Sequence, residues 1–230
     1  MHVTLRAFAA VLLCAFALGA SAQTADTAET AIARIGHEWA QANYGAAHKN
    51  PAAFDAALAD ARRATTAYPA RAEPRIWQAI VLASIAGREG GFGALGKAKE
   101  ARGLLLEAEK IDPSAMEGSV YTTLGSLYAK VPGWPIGFGD RKKAREYLER
   151  ALAIDPAGID ANYFYADYLV DVGDYAGAWR HLEDALRAPP RPGREDADEG
   201  RRGEANAMLS MLHEKHASAI AAASAPAAEG

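Results

Sequence analysis

Residues 159–190 read IDANYFYADYLVDVGDYAGAWRHLEDALRAPP, and this stretch decides the fold. Large and small apolar residues recur at three- and four-residue intervals, the period of one helix face. Gly173-Asp174 interrupts the period, and Pro190, which lacks an N–H and cannot continue a helix, closes it. The segment is a pair of helices joined by a short turn.

The second half of that pair has copies upstream. Ala178, Leu182, Ala185 and Pro190 share their spacing with Ala144, Leu148, Ala151 and Pro156, and with Ala101, Leu105, Ala108 and Pro113. A weaker copy reads Ala57, Ala61, Ala64 and Pro69. Small alanines let two antiparallel helices approach closely, the larger residue fills the gap, and the proline stops the second helix. One such pair cannot bury its apolar face alone, so successive pairs stack. Runs of alternating β-branched residues are missing, which leaves an all-α chain.

The prolines are 44, 43 and 34 residues apart, so the two earlier intervals are long. Alignment places the extra residues, about eight and about seven, between the helices of each pair. They fall in Gly87-Arg-Glu-Gly-Gly-Phe-Gly-Ala-Leu-Gly96 and in Val131-Pro-Gly-Trp-Pro-Ile-Gly-Phe-Gly-Asp140. Insertions at equivalent turns of a stacked array emerge side by side on one edge. Both are glycine-rich and aromatic, so Phe92, Trp134 and Phe138 are candidate partner-binding residues, with a fold-back plug over the core as the alternative. The first stretch follows a helix rather than a strand and has Ala98 after Lys97, so it lacks the ending of a phosphate-binding loop.

These features resemble the tetratricopeptide repeat family over about residues 35–190. Asn162, Tyr165, Ala166 and Leu169 match its first-helix positions, as do Tyr121, Leu124, Gly125 and Tyr128 and, less cleanly, Trp77, Ile80, Val81 and Ser84. The first unit, with Tyr44 and Gly45, is degenerate. The resemblance implies an α-α superhelix of about four helix pairs plus a C-terminal capping helix. It also implies a concave groove lined by Trp39, Lys49 and Asn50, then Arg75 and Gln78, then Ser119, Thr122, Ser126 and Lys130, and finally Asp160, Tyr163, Asp167 and Asp171. Such a groove grades from basic to acidic and suits a protein or peptide partner of complementary charge. Residues 118–212, including Leu124-Gly-Ser-Leu-Tyr128, Gly139-Asp140 and Glu204-Ala-Asn-Ala207, are also similar to the periplasmic T component of TRAP transporters. That second resemblance implies association with a solute-binding subunit, or a small apolar ligand held near Phe92, Trp134 and Phe138.

The ends differ from the middle. Arg6, the apolar run Ala7–Leu18 and Ala20-Ser21-Ala22 have the form of a signal peptide cleaved before Gln23, with a run too short to span a bilayer. Leu13 stands before Cys14 where lipid attachment needs a small residue. The expected organisation is a signal peptide over 1–22, a lead-in over 23–29, the repeat domain over 30–216 and a disordered Ala/Ser/Pro tail over 217–230. Export would make the chain periplasmic if its source is bacterial. Cys14 is the single cysteine, so no disulfide is available after cleavage and the fold must rest on apolar burial. A net charge of −4 gives no support for nucleic acid or an anionic membrane surface as partner, and no later run is long enough for membrane insertion. His213 and His216 lack a third convergent ligand, His37-Glu38 lacks the second histidine of a zinc protease helix, and no nucleophile elbow occurs. Neither an enzyme nor a cofactor is expected.

Overall fold

The structure, a computed structural model, describes residues 27–224. The leader 1–22, with Cys14, most of the lead-in and the last residues of the expected tail lie outside them.

Among the described residues nine α-helices form, and no strand does. They are α1 (Ala28–Asn43), α2 (Pro51–Ala67), α3 (Glu73–Glu89), α4 (Gly91–Ile111), α5 (Ala115–Lys130), α6 (Arg141–Ile154), α7 (Ile159–Val172), α8 (Tyr175–Arg187) and α9 (Glu195–Ser224). A 3-10 turn, Ala46–Lys49, separates α1 from α2. Local signals set these boundaries. The side chains of Thr27, Asn50, Asp140 and Asp174 accept hydrogen bonds from backbone N–H groups of the first turns of α1, α2, α6 and α8. Helices α2, α4 and α6 stop at Tyr68, Asp112 and Asp155, each directly before a proline and each turned out of the helical region.

The repeated alanines and leucines are the interior. Ala101, Leu105, Ala108, Ala144, Leu148, Ala151, Ala178, Leu182 and Ala185 are all fully buried. Each buried leucine contributes about 1.5–3 kcal/mol through removal of apolar surface from water. The helices pack as pairs, α1 with α2, α3 with α4, α5 with α6 and α7 with α8. The first helix of each pair also meets the first helix of the next, so α1, α3, α5 and α7 form the inner layer of a superhelix.

Two sequence expectations change. The stretch 87–96 is not a loop: α3 runs to Glu89, α4 starts at Gly91, and the turn is made by Gly90 and Gly91 with φ of 64° and 68°. The extra residues lengthen both helices, because the positive φ that only glycine adopts without strain reverses the chain at once. The helix expected to stop at His216 continues to Ser224, with a kink at His216 (φ −134°). The alanine-rich sequence after the kink has high helix propensity, which favours continuation. By contrast, Val131–Asp140 is a true loop. It is closed by Gly139 N–H donating to the Pro132 carbonyl at 2.9 Å and Asp140 N–H donating to that of Tyr128 at 2.9 Å, and it carries a cis Trp134–Pro135 bond.

The closeness of one pair gives a test. A Cβ on Gly125 of α5 would lie 2.5 Å from Leu148 Cγ of α6. Gly125→Leu should therefore lower unfolding free energy by about 1–3 kcal/mol through overpacking, measured by urea denaturation.

Candidate functional site

Two surfaces merit attention: the concave face and the edge formed by the turns. The inner helices leave a cavity of about 260 Å³ on the concave face, lined by Trp39 and Asn43 of α1, Trp77 and Ser84 of α3, Thr122 and Ser126 of α5, and Tyr163 and Asp167 of α7. The sequence register is right for α5 and α7 and wrong for α3. Trp77, Ile80 and Ser84 take the positions of Ser119, Thr122 and Ser126 and of Asp160, Tyr163 and Asp167. The packing positions of α3 are thus Ala79, Leu82, Ala83 and Ala86, two residues along. Arg75 instead pairs outward with Glu107 of α4 at 3.5 Å, and Gln78 is buried. Neither lines the cavity, and nor do Lys49 and Asn50, which belong to the α1–α2 connection.

The concave face is also occupied. Helix α9 leaves α8, crosses in front of α7 and reaches α1. Arg201 of α9 is buried and donates to Asp160 of α7 at 2.8 Å, with its guanidinium 4.5 Å from the rings of both Tyr163 and Phe164. Arg201 also holds Glu204, which accepts from the Tyr44 hydroxyl at 3.0 Å. Asp196 pairs with His37 at 2.9 Å and accepts from Gln41 at 3.1 Å. Arg191 donates to Asp160 at 2.7 Å and to the buried Asp198 at 2.8 Å, while Arg194 stands over the Trp77 ring. A side chain on Gly200 would run into the Tyr44 ring, so glycine lets α9 sit this close.

Electrostatics follow from that arrangement. Burial alone would raise the Asp160 pKa, but Arg201, Arg191 and Arg194 outweigh it and hold the carboxyl well below the usual range. Burial, reinforced by Glu204, pushes the Tyr163 hydroxyl up to about 12. Burial raises Asp167 even though Lys130 donates to it at 3.0 Å and to Asp171 at 2.6 Å. The acidic residues at the α7 end of the expected gradient thus have partners within the fold. Lys130 pairs with both Asp167 and Asp171 within the fold, and Arg191, Arg194 and Arg201 pair with Asp160. Sequence reasoning missed Arg191, Arg194 and Arg201 because pairings to Asp160 from 31 to 41 positions away leave no local pattern.

At the edge, the α3–α4 turn and the α5–α6 loop lie side by side, as expected. Between them is a groove of about 690 Å³, with Ala86, Leu95 and Ala98 on one side, Leu127 and Val131 on the other, and Phe92 and Ile136 at its margin. Phe92 is 92% exposed, Trp134 90% and Ile136 63%, the three most exposed large hydrophobic side chains among the described residues. Phe138 differs: it packs edge-on against Tyr128, 5.4 Å between centroids, with Arg102 stacked 4.2 Å from its ring. The aromatic loop thus divides its roles, Phe138 anchoring the loop and Trp134 standing clear of it. His213 and His216 lie against Trp179 and Tyr175, and no cluster of metal-ligating side chains occurs among the described residues. No helix there is long and apolar enough to cross a membrane.

No protein-family model matches the chain, and no curated protein matches it. Among solved structures, the chain is similar to TTC0263, a thermophilic TPR protein of Thermus thermophilus, at 17% identity and a TM-score of 0.54, covering 80% of this chain and 100% of that one. It is also similar to MamA at 18% identity (TM-score 0.42; 86% of this chain, 98% of that one) and to PilF of Pseudomonas aeruginosa at 18% identity (TM-score 0.35; 82% and 93%). The fold is the tetratricopeptide-type helical repeat.

The α7–α9 junction has a measurable consequence. Removing the charge of Asp160 leaves Arg201 buried without its main partner, so Asp160→Asn should lose about 3 kcal/mol of stability at pH 7. Because Asp160 is held below its ordinary value of 3.8, its contribution is complete above that pH and is lost as pH falls below it. Urea titrations between pH 5 and pH 2 should show a steeper acid decline for the native chain than for the variant.

Proposed function

We propose that this chain, built on the tetratricopeptide-repeat fold, is an exported, non-catalytic scaffold that docks a protein partner at the edge formed by its inter-helix turns. The observation that carries this reading is an apolar groove lined by the exposed Phe92 and Ile136, with the exposed Trp134 on the same loop as Ile136. Large exposed apolar side chains cost solubility, and clusters of them mark interaction surfaces. Aromatic anchors beside a concave apolar groove are the usual source of binding energy between proteins. The concave face is the weaker candidate, because α9 covers part of it and Asp160 and Asp167 are paired internally. Export rests on the leader-like residues 1–22.

A small apolar ligand would favour a closed pocket. Phe92 lines this groove yet is 92% exposed, which favours a partner that covers the edge.

The test is affinity capture from a periplasmic extract with the native chain and a Phe92→Ala, Trp134→Ala, Ile136→Ala variant matched in circular dichroism. Phe138 is left intact because it anchors the loop. The variant should lose the captured partner. Retention of every partner by the equally folded variant would remove the edge from consideration. Mass spectrometry of the exported protein should find Gln23 at its N-terminus.

A further inference from the structure

The concave cavity is lined by a cation that the fold leaves without a side-chain hydrogen bond. Arg194, in the connection just before α9, lines it together with Asn43, Thr122 and Ser126. Its side chain is 21% exposed, and its Nε is enclosed with no acceptor among the described residues. The ion pair to Asp160, at 3.8 Å, is longer than a hydrogen bond. Both Asp160 oxygens are already taken, by Arg201 at 2.8 Å and Arg191 at 2.7 Å. The other carboxylates of the cavity are engaged too: Asp167 accepts from Lys130, and Glu204 from Arg201 and Tyr44. The Trp77 ring, 5.1 Å away, positions the Arg194 guanidinium without satisfying its N–H groups. The hydroxyls divide in the same way. Ser84, Ser119 and Thr123 donate to carbonyls of their own helices. The buried Thr122, with Ser126 and Asn43, makes no side-chain hydrogen bond among the described residues. Burying polar groups without partners is costly, so this wall is satisfied when a ligand supplies them.

We propose that this cavity binds a small monocarboxylic acid with an apolar body, its carboxylate held by Arg194. The proposal is independent of docking at the edge. Three arguments select this ligand. A guanidinium offers paired N–H donors that match a carboxylate, and Arg194 has its donors to spare. Asp160, Asp167 and Glu204 line the same cavity, so a second negative charge on the ligand would be repelled, which disfavours phosphate. The rest of the wall is apolar, with Trp39, Trp77, Ile80 and Phe164, and gives the body of the acid a surface to cover. A volume of about 260 Å³ has room for about eight waters at ~30 Å³ each, the size of a small organic acid rather than of a peptide end.

The test is isothermal titration calorimetry with benzoate, phenylacetate and 4-methylpentanoate as probes, beside benzamide and inorganic phosphate. The native chain should bind at least one of the acids with a stoichiometry of one. Benzamide, which keeps the ring and loses the charge, should bind roughly tenfold more weakly than benzoate, the worth of one charge-assisted hydrogen bond. Arg194→Gln, matched to the native chain in circular dichroism, should weaken the acids by roughly the same factor. Ser126→Leu keeps Arg194 and fills part of the cavity from a half-buried position. It should weaken the acids as well, and it decides the matter where Arg194→Gln fails to fold. Failure of all three acids to bind the native chain overturns the proposal. So do benzamide binding as tightly as benzoate, phosphate binding in place of the acids, or acid affinity unchanged in a folded variant.

Discussion

One carboxylate holds the molecule in its closed form. Asp160, near the start of α7, faces Arg191, Arg194 and Arg201, and through Arg201 the last helix is fixed across the concave face. Lifting α9 away would separate Arg201 from Asp160 and from the Tyr163 and Phe164 rings, and removing either charge in place would leave the other buried and unpaired. The same interaction orients Glu204 toward Tyr44, which carries the closure to α1. A superhelix of this kind is held by contacts between neighbours alone. Here a strap joins its first helix to its fourth pair, so fraying at one end is resisted from the other.

The strap changes which surface is free. The concave groove that a stack of helix pairs creates is satisfied from within: Arg201 lies against Tyr163 and Phe164, Lys130 bridges Asp167 and Asp171, and Trp39 donates to Ser84. A partner would have to displace those contacts before making its own. The edge carries no such debt. Phe92, Trp134 and Ile136 meet solvent. Recognition then falls to the turns, which can change without disturbing the core.

The alanine–leucine–proline spacing made the helices and their pairing legible in the sequence, because close packing admits few residue types and proline marks the ends. The edge was legible for a related reason: a stacked array brings equivalent turns together, which placed the turn beside Phe92 next to the loop bearing Trp134. What failed was the register of α3. Trp77 looks like the bulky packing residue that Tyr121 is in α5, but α3 packs through Ala79, Leu82, Ala83 and Ala86 and turns Trp77 inward. In a helix so rich in alanine, two faces are equally apolar and periodicity cannot choose between them. Gly90 misled in the opposite sense. Glycines signal a turn, but two of them complete it here, and the rest of the stretch is helix. The strap was hidden for a third reason, since its contacts join distant residues.

The two surfaces are not isolated from each other. Ala83 and Ser126 line both the concave cavity and the edge groove, so a single layer of α3 and α5 side chains divides them. On the concave side Arg194, just before α9, covers Trp77 of α3, and Arg201 packs on α7. The edge groove is walled largely by residues of packed helices, and a prepositioned groove spares the ordering that weakens association.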